Sequence, residues 1–207
     1  MLVKKLKEDF RSFDGQDITL QGWVRTNRNS KALGFIELND GSCFGNVQVV
    51  YYQESTKNYE AISKITLGSA IEVKGKLVCT PDSKQPFEIQ AGSIEVLGLS
   101  DHDYPLQKKR HSFEYMREIP HVRPRANTYY AIFRLRSVLS MAIHTFFQDR
   151  GFVYVHTPII TGNDAEGAGE CFTVTTREDN KYEEDFFGKH AQLTVSGQLH
   201  VEPFALT

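Results

Sequence analysis

The sequence contains few cysteines, and their spacing excludes two common kinds of site. Of its 207 residues only 3 are cysteine, and these lie far apart at positions 43, 79 and 171. No Cys-x-x-Cys pair and no cysteine–histidine cluster at zinc-ligand spacing occurs. We therefore expect three reduced, buried thiols, and neither a disulfide framework nor a zinc site.

Long hydrophobic runs are also missing, which argues against a membrane protein. No apolar stretch approaches the roughly 20 residues that a helix needs to cross a bilayer. Residues 1–10 are charged and lack the apolar core of a secretory signal. We therefore expect a cytoplasmic protein with no membrane partner.

Neither a strong net charge nor a phosphate-binding glycine loop is present. The formal net charge is −2, so any nucleic-acid binding must depend on a local basic surface. The pattern G-x-x-x-x-G-K-[ST], which cradles phosphates, does not occur. Hydrophobic residues still make up 40% of the chain, and its length allows one large or two modest globular domains.

The first hundred residues contain a repeated alternation of apolar and polar side chains, which is typical of half-buried strands. After a short helical pattern in residues 1–13, five segments show it, with a polar, partly helical stretch at 53–66 between the third and the fourth. Residues 27–34 are rich in Asn, Ser, Lys and Arg and are expected to form a loop. This order predicts a five-stranded OB-fold barrel. The five segments are 18–25, 35–38, 46–51, 70–78 and 88–96.

In a closed barrel one parity of each strand points inward and the other points to solvent. The outward parity of the first three strands carries Arg25, Phe35 and Gln48. A cation can meet a phosphate, an aromatic ring can stack on a base, and an amide can read a base edge. One interpretation is that this face binds single-stranded RNA. The other is that the Phe35 ring packs under a loop and that Gln48 is an ordinary surface residue. The inward parity holds Ile18, Leu20, Val24, Ile36, Leu38, Val47, Val49 and Tyr51.

Residues 101–127 show no regular spacing of apolar side chains and are rich in proline, arginine and lysine, which indicates a linker whose basic face could contact RNA.

Residues 132–147 then carry apolar side chains at spacings of three and four, which predicts a helix of about five turns. Gly151 is expected to end the helix with a left-handed residue. Residues 152–155 are expected to form a strand closed by Pro158. Such a helix–strand unit fits an ordinary α/β domain as well.

Taken with its neighbours, this unit resembles motif 1 of class II aminoacyl-tRNA synthetases. The run GWVRTNRNSKALGFIELNDGS is similar to the anticodon-binding barrel of the class IIb aspartyl, asparaginyl and lysyl enzymes. The linker run YPLQKKRHSFEYMREIPHVRPRANTYYAIFRLRS resembles bacterial-type asparaginyl members. The implied fold is β plus α+β: an OB-fold barrel at 1–100, a hinge at 101–127, and at 128–207 the beginning of an antiparallel-sheet class II catalytic domain.

The resemblance assigns the outward residues of the barrel to the tRNA anticodon. Phe35 would stack on the central anticodon base, and Gln48 would read the edge of that base. Arg25 matches a basic residue that contacts the anticodon. Glu88, on the last strand, would match a carboxylate near the first anticodon base. The implied partner is a tRNA with the anticodon GUU.

A second set of residues resembles the amino-acid pocket of the same family. Glu166, in a Glu-Gly-Ala element, would bind the α-amino group of the substrate, and Ser196 and Gln198 match a Ser-x-Gln-Leu signature that lines the pocket. Aspartyl enzymes carry a Lys three positions after this Gln, where the present sequence has Val201. A pocket without that cation favours asparagine over aspartate. Glu202 is a candidate to accept a hydrogen bond from the substrate amide.

The family's motifs 2 and 3, whose arginines bind ATP, are not found within the 207 residues. The resemblance implies ATP-dependent attachment of asparagine to tRNA through an asparaginyl adenylate, with magnesium, in a homodimer formed through motif 1. We expect no catalytic residue in this chain, no complete reaction by it alone, and exposed apolar surface in its second half. Residues 177–190 are expected to form a charged hairpin or loop. Two alternatives stay open: a non-catalytic RNA-binding OB-fold protein, and an aspartyl relative.

Overall fold

The computed structural model describes residues 1–165, 167 and 170–207. Two compact units make up the chain, Met1–Val138 (unit 1) and Leu139–Thr207 (unit 2). The helices are α1 (Val3–Asp9), α2 (Tyr59–Ser63), α3 (Phe113–Glu118), α4 (Asn127–Gln148) and α5 (Gln198–Val201). The strands are β1 (Asp17–Asn29), β2 (Leu33–Asn39), β3 (Val47–Tyr52), β4 (Ala70–Cys79), β5 (Phe87–Gly98), β6 (Ile160–Thr161), β7 (Thr173–Val174) and β8 (Ala191–Leu193).

Unit 1 is built on a closed barrel with the strand order β1-β2-β3-β5-β4. Strands β3 and β5 pair in parallel, and the other neighbours pair antiparallel. The short helix α2 connects β3 to β4. The five-stranded OB-fold barrel predicted from the alternation is therefore confirmed, including the helical insertion after its third strand.

The core of the barrel consists of the residues predicted to point inward. All eight of them are buried, and Tyr51 is completely inaccessible. Its hydroxyl donates a hydrogen bond to Asn27 Oδ1 at 2.9 Å, and burial raises its pKa to about 12. Position 34 must be glycine here, because a Cβ on Gly34 would lie 2.1 Å from Tyr51 Cζ.

The loop predicted at residues 27–34 is wrong at both ends, because β1 continues to Asn29 and β2 begins at Leu33. A bulge between Val24 and Thr26 changes the register of β1 against β2. The polar residue Asn27 then faces inward, where its Nδ2 donates to the carbonyl of Ile62 at 2.9 Å. Polar composition concealed this part of the strand, because the buried polar group is satisfied by hydrogen bonds.

The segment predicted as an aperiodic linker contains the helix α3 and belongs to unit 1. The backbone amide of Tyr115 donates to Ser112 Oγ at 3.2 Å, which caps the helix. The Tyr115 hydroxyl donates to the carbonyl of Pro105 at 3.2 Å, and Met116 is buried. The segment is therefore a folded part of the unit that also holds the barrel.

Helix α4 confirms the helix predicted over 132–147, and Gly151 follows it with φ +80° as expected. The apolar stripe of α4 remains exposed: its residues Ile132, Leu135, Val138, Leu139, Ile143, Phe146 and Phe147 are between 39% and 67% accessible. This confirms the expectation of exposed apolar surface, since each of these side chains keeps at least 39% of its surface accessible.

Unit 2 contains a small antiparallel sheet with the strand order β6-β8-β7. The strand predicted at residues 152–155 is wrong, because they pair with no strand among the described residues. Instead the Phe152 amide donates to the carbonyl of Phe147 at 3.1 Å, and the Tyr154 ring packs edge-on against His144 at 4.8 Å. The segment thus turns back along the end of α4.

Candidate functional site

The outward face of the barrel presents Phe35 on β2 between two neighbouring strands. The register pairs Phe35 with Arg28 of β1 on one side and with Val50 of β3 on the other. Phe35 is partly exposed, Arg28 is exposed and Val50 is buried. A ring held between a cation and an apolar neighbour on a strand surface is suited to stacking on a base whose phosphate meets the cation.

A second row of polar side chains lies beside Phe35. Gln48 of β3 pairs with Glu37 of β2, and Gln48 Nε2 donates to Glu88 Oε2 of β5 at 3.2 Å. This bond fixes the orientation of the Gln48 amide and directs its NH₂ group toward the carboxylate. The structure therefore brings together three of the four barrel residues singled out from the sequence: Phe35, Gln48 and Glu88.

Arg25, the fourth of these residues, lies elsewhere. It occupies the bulge of β1, and its Nη2 donates to Asn127 Oδ1 at 3.1 Å. Because the bulge adds one residue, Arg28 and not Asn27 stands opposite Phe35. The alternation of the sequence placed Arg25 on the Phe35 face; the structure places it beside the first residue of α4.

The pocket signature of unit 2 is held together by its own hydrogen bonds. The backbone amide of Gln198 donates to Ser196 Oγ at 3.1 Å, and the side-chain Nε2 of the same residue donates to Glu202 Oε1 at 3.0 Å. Gly197 packs closely on Thr157: a Cβ at position 197 would lie 2.7 Å from Thr157 Oγ1, so a larger residue there would require the Thr157 side chain to move. The structure thus brings Ser196, Gln198 and Glu202 together, while Glu166 lies outside the described residues.

The charged segment predicted at 177–190 forms a loop, and hydrogen bonds connect this loop to the residues that directly precede it. Hydrogen bonds from the hydroxyls of Thr175 and Thr176 and from the Phe186 amide hold the pKa of Asp185 far below its usual range. Arg177 forms ion pairs with Asp179 at 2.7 Å and with Glu184 at 3.1 Å. The loop also contains a short 3-10 turn at Tyr182–Glu184.

Two kinds of feature do not appear in the part of the chain that the structure describes. No helix there is both long and apolar enough to span a bilayer. No group of three or more His, Cys, Asp or Glu side chains is placed to hold a metal ion, within the same described residues.

Comparison with known proteins identifies the chain's family. A model of the OB-fold nucleic acid binding domain matches residues 18–97, and one of class II tRNA synthetases (D, K and N) matches residues 112–206. The asparagine–tRNA ligase of Alkaliphilus oremlandii is 57% identical to this chain over 216 residues, which cover 100% of the chain. The chain belongs to the asparaginyl-tRNA synthetase family.

Other relatives agree with this assignment. The asparagine–tRNA ligase of Bacillus anthracis is 56% identical over 99% of the chain. The solved asparaginyl-tRNA synthetase of Pyrococcus horikoshii, complexed with asparaginyl-adenylate, superposes with a TM-score of 0.83 at 23% identity, over 100% of this chain and 45% of that one. The chain spans 46% of the length of the curated relatives named here. At that identity the solved structure supports the fold alone.

Among the residues that lie beside Phe35, Arg28 was missed by the alternation of the sequence. A strand with strict alternation would put residue 28 on the same parity as Ile18 and Val24, hence inward. The signal that could have revealed it is the run Thr26–Asn29, where four polar residues follow an apolar strand without a glycine or proline. Such a run is compatible with a bulged strand as well as with a loop.

Proposed function

We propose that this chain carries the anticodon-reading barrel and the amino-acid-binding segments of an asparagine–tRNA ligase. The observation that carries the proposal is the outward row of Phe35, Gln48 and Glu88, completed by Arg28, on a barrel of the nucleic-acid-binding type. The identity of 57% along the whole chain to a ligase of that name supports the substrate assignment.

On the barrel, we assign each side chain one part of anticodon recognition. The Phe35 ring stacks on the central base of the anticodon GUU, and Arg28 neutralises a neighbouring phosphate. Because Gln48 Nε2 is held by Glu88, the Gln48 carbonyl oxygen is oriented to accept a hydrogen bond from a base edge. Glu88 keeps its second oxygen for a donor on the first anticodon base.

In unit 2, we assign Ser196, Gln198 and Glu202 to asparagine. Glu202 Oε1 accepts from Gln198 Nε2 at 3.0 Å, so Gln198 offers its carbonyl oxygen to the ligand. The second oxygen of Glu202 accepts a hydrogen bond from the NH₂ group of the substrate asparagine. An aspartate side chain has no such donor. Glu166 would complete the site as the acceptor for the α-amino group.

ATP supplies the chemical driving force of the proposed reaction, through the adenylate of asparagine. The described residues contain no cluster of carboxylates or histidines that fits a magnesium ion, so we assign no step in this chain to that metal. What these residues contribute is the binding and orientation of the amino acid and of the anticodon.

We also propose that a second copy of the chain covers the apolar stripe of α4. Seven large apolar side chains at helical spacing, each at least 39% accessible, form a stripe of the kind that associates helices. A homodimer through this helix would remove them from water.

Replacement of Phe35 by Ala tests the assigned role of the barrel. Base stacking on an aromatic side chain contributes about 1–3 kcal/mol, so Phe35→Ala is expected to weaken binding to a GUU anticodon stem-loop by more than about tenfold. Affinities would be measured at one fixed, moderate salt concentration, beside stem-loops with GUC and with a scrambled loop. Preference for GUU over both supports the asparaginyl assignment.

The matched control is Phe186→Ala, which removes an equally large ring that is 82% accessible in unit 2. This control is expected to leave affinity for the GUU stem-loop unchanged. Equal affinity of wild type and Phe35→Ala, or equal binding of all three stem-loops, would contradict the proposal.

A further inference from the structure

A large cleft lies at the end of the barrel away from Phe35. One wall contains Trp23 and Arg25 of β1, and the other is formed by residues 104–116 and the first turn of α4. Its volume is about 1010 Å³, comparable to the largest ligand pockets. Every residue that lines it belongs to unit 1.

The charges that line the cleft are almost all positive. Only one carboxylate, Glu114, is among the lining residues, and it lies 3.8 Å from Arg117. Because the whole chain has a net charge of −2, a concentration of cations in one concave place is a local feature that favours an anionic occupant. The lining cations are Arg25, Lys108, Lys109, Arg110 and Arg125.

Large aromatic rings in the same cleft are exposed to solvent. Trp23 is 48% accessible, Phe44 is 55% and Phe113 is 51%. The Phe44 ring stacks on Tyr130 at 5.6 Å, and the Tyr130 hydroxyl donates to the carbonyl of Gly41 at 3.2 Å. Rings held in place but left open on one face are suited to stacking on a planar group.

The wall opposite the barrel is held in place by hydrogen bonds. The Ser100 amide donates to Ser69 Oγ at 3.0 Å, which ties the start of the segment to the residue before β4. Further along, Gln107 Nε2 donates to the carbonyl of Tyr104 at 2.6 Å, and His111 stacks on Tyr115 at 5.1 Å. The cleft is therefore formed before any ligand enters it.

We propose that this cleft binds an unpaired nucleotide of the RNA, outside the bases read by Phe35, together with its flanking phosphates. The base stacks among Trp23, Phe44 and Tyr130, and the phosphates meet the cations at 108–110. This inference rests on the proposed function in one respect: it takes the RNA to be the tRNA bound by the barrel.

RNA is a better occupant than a protein segment because the cleft combines several cations with open aromatic faces, the two features shared by single-strand binding surfaces. It is also within reach of the barrel face. Trp23 and Arg28 lie five residues apart on β1, or about 17 Å along a strand. An RNA strand can cover that distance with a few nucleotides.

The chain has a single tryptophan, so Trp23 reports on the cleft without any label. Binding of a full-length tRNA transcript with the anticodon GUU is expected to quench Trp23 fluorescence saturably. Combined replacement Lys108→Ala, Lys109→Ala and Arg110→Ala is expected to reduce that quenching. It is also expected to lower the slope of log K against log salt by about 2, since each single-strand phosphate contact contributes about 0.7.

The matched control replaces three lysines of unit 1 that do not line the cleft, Lys5→Ala, Lys57→Ala and Lys64→Ala. An equal drop in salt slope for this control, or unchanged quenching in the cleft variant, would overturn the proposal. So would quenching by free AMP but not by RNA. Concentration-dependent quenching without any RNA would place a second copy of the chain in the cleft and overturn it too.

Failure of this inference can be told apart from failure of anticodon reading. The cleft variant is expected to keep the preference for GUU over a scrambled loop, whereas Phe35→Ala is expected to lose that preference and to retain Trp23 quenching at saturating RNA. Loss of preference in the cleft variant would show that the cleft and the anticodon face are one site, which contradicts the inference.

Discussion

The two units of this chain differ in how they cover their apolar side chains. Unit 1 contains nearly all the buried hydrophobic residues of the described chain, while unit 2 contributes only Ala191. In unit 2, Phe172 is 79% accessible, Phe186 is 82% and Leu206 is 91%. A closed barrel buries its own core, whereas unit 2 leaves its large apolar groups available to other surfaces.

The cause lies in the size and closure of the two sheets. The barrel strands β1 to β5 are 6 to 13 residues long, and each pairs on both sides. The strands of unit 2 are only 2 or 3 residues long, and two of the three are edges. Such short open sheets cannot bury enough surface to offset the entropy of ordering the chain.

A pair of leucine truncations tests this contrast with the largest expected effect. Leu20 is fully buried in the barrel, whereas Leu139 on α4 is 56% accessible. Leu20→Ala is expected to lower the free energy of unfolding of the barrel by about 2–5 kcal/mol. Leu139→Ala is expected to change the free energy of unfolding of unit 2 by less than about 0.5 kcal/mol.

Both values would come from urea unfolding at a concentration at which the chain is monomeric, with Trp23 fluorescence following unit 1 and far-UV circular dichroism following both units. The two variants lose the same atoms, so a difference between them reflects burial alone. Similar destabilisation by both would mean that the stripe of α4 is covered even within one copy of the chain, which would contradict the difference in burial between the two units.

The exposed stripe itself can be tested by adding a charge. Leu139→Lys places a cation within the apolar face of α4, and burying it in a helix–helix contact would leave it unpaired. Self-association, measured by sedimentation velocity over a range of concentrations, is expected to weaken at least about tenfold.

Ser137→Lys adds the same charge on the opposite side of the same helix and serves as the control. It is expected to leave self-association unchanged. If both lysines weaken association equally, net charge and not the stripe controls it; a wild type that stays monomeric at every concentration would remove the homodimer from the proposed function.

The sequence predicted the barrel well because its strands are amphipathic and close on themselves. The alternation at 18–24 and 35–38 contains the information that the core needs, and the buried residues follow it. The bulge at Arg25 could not be predicted, because it depends on a hydrogen-bonded Asn27 that only the folded barrel satisfies. Arg28 was missed as a member of the row with Phe35 for that reason.

Prediction was weaker in the second half, where structure depends on pairing between distant segments. Residues 152–155 have the composition of a strand, yet a strand also needs a neighbour, and none of the described residues supplies one. The Ser196–Glu202 arrangement was easier to anticipate, since a break at Gly197 into a helical turn brings positions 198 and 202 onto one side of the helix.

An effect that appears only at high pH is an alkaline limit on the stability of the barrel. Burial raises the pKa of Tyr51 from 10.0 to about 12, so the folded state keeps this proton while the unfolded state loses it. The contribution is therefore fully present below pH 10 and is lost as the pH rises toward 12. The free energy of unfolding of the wild type is expected to fall more steeply over that interval than that of Tyr51→Phe. The control is Tyr154→Phe, at a tyrosine that is 62% accessible in unit 2; its free energy of unfolding should vary with pH as that of the wild type does. If the pH curves of the wild type and Tyr51→Phe are parallel, the Tyr51 hydroxyl is less buried than the closed barrel requires.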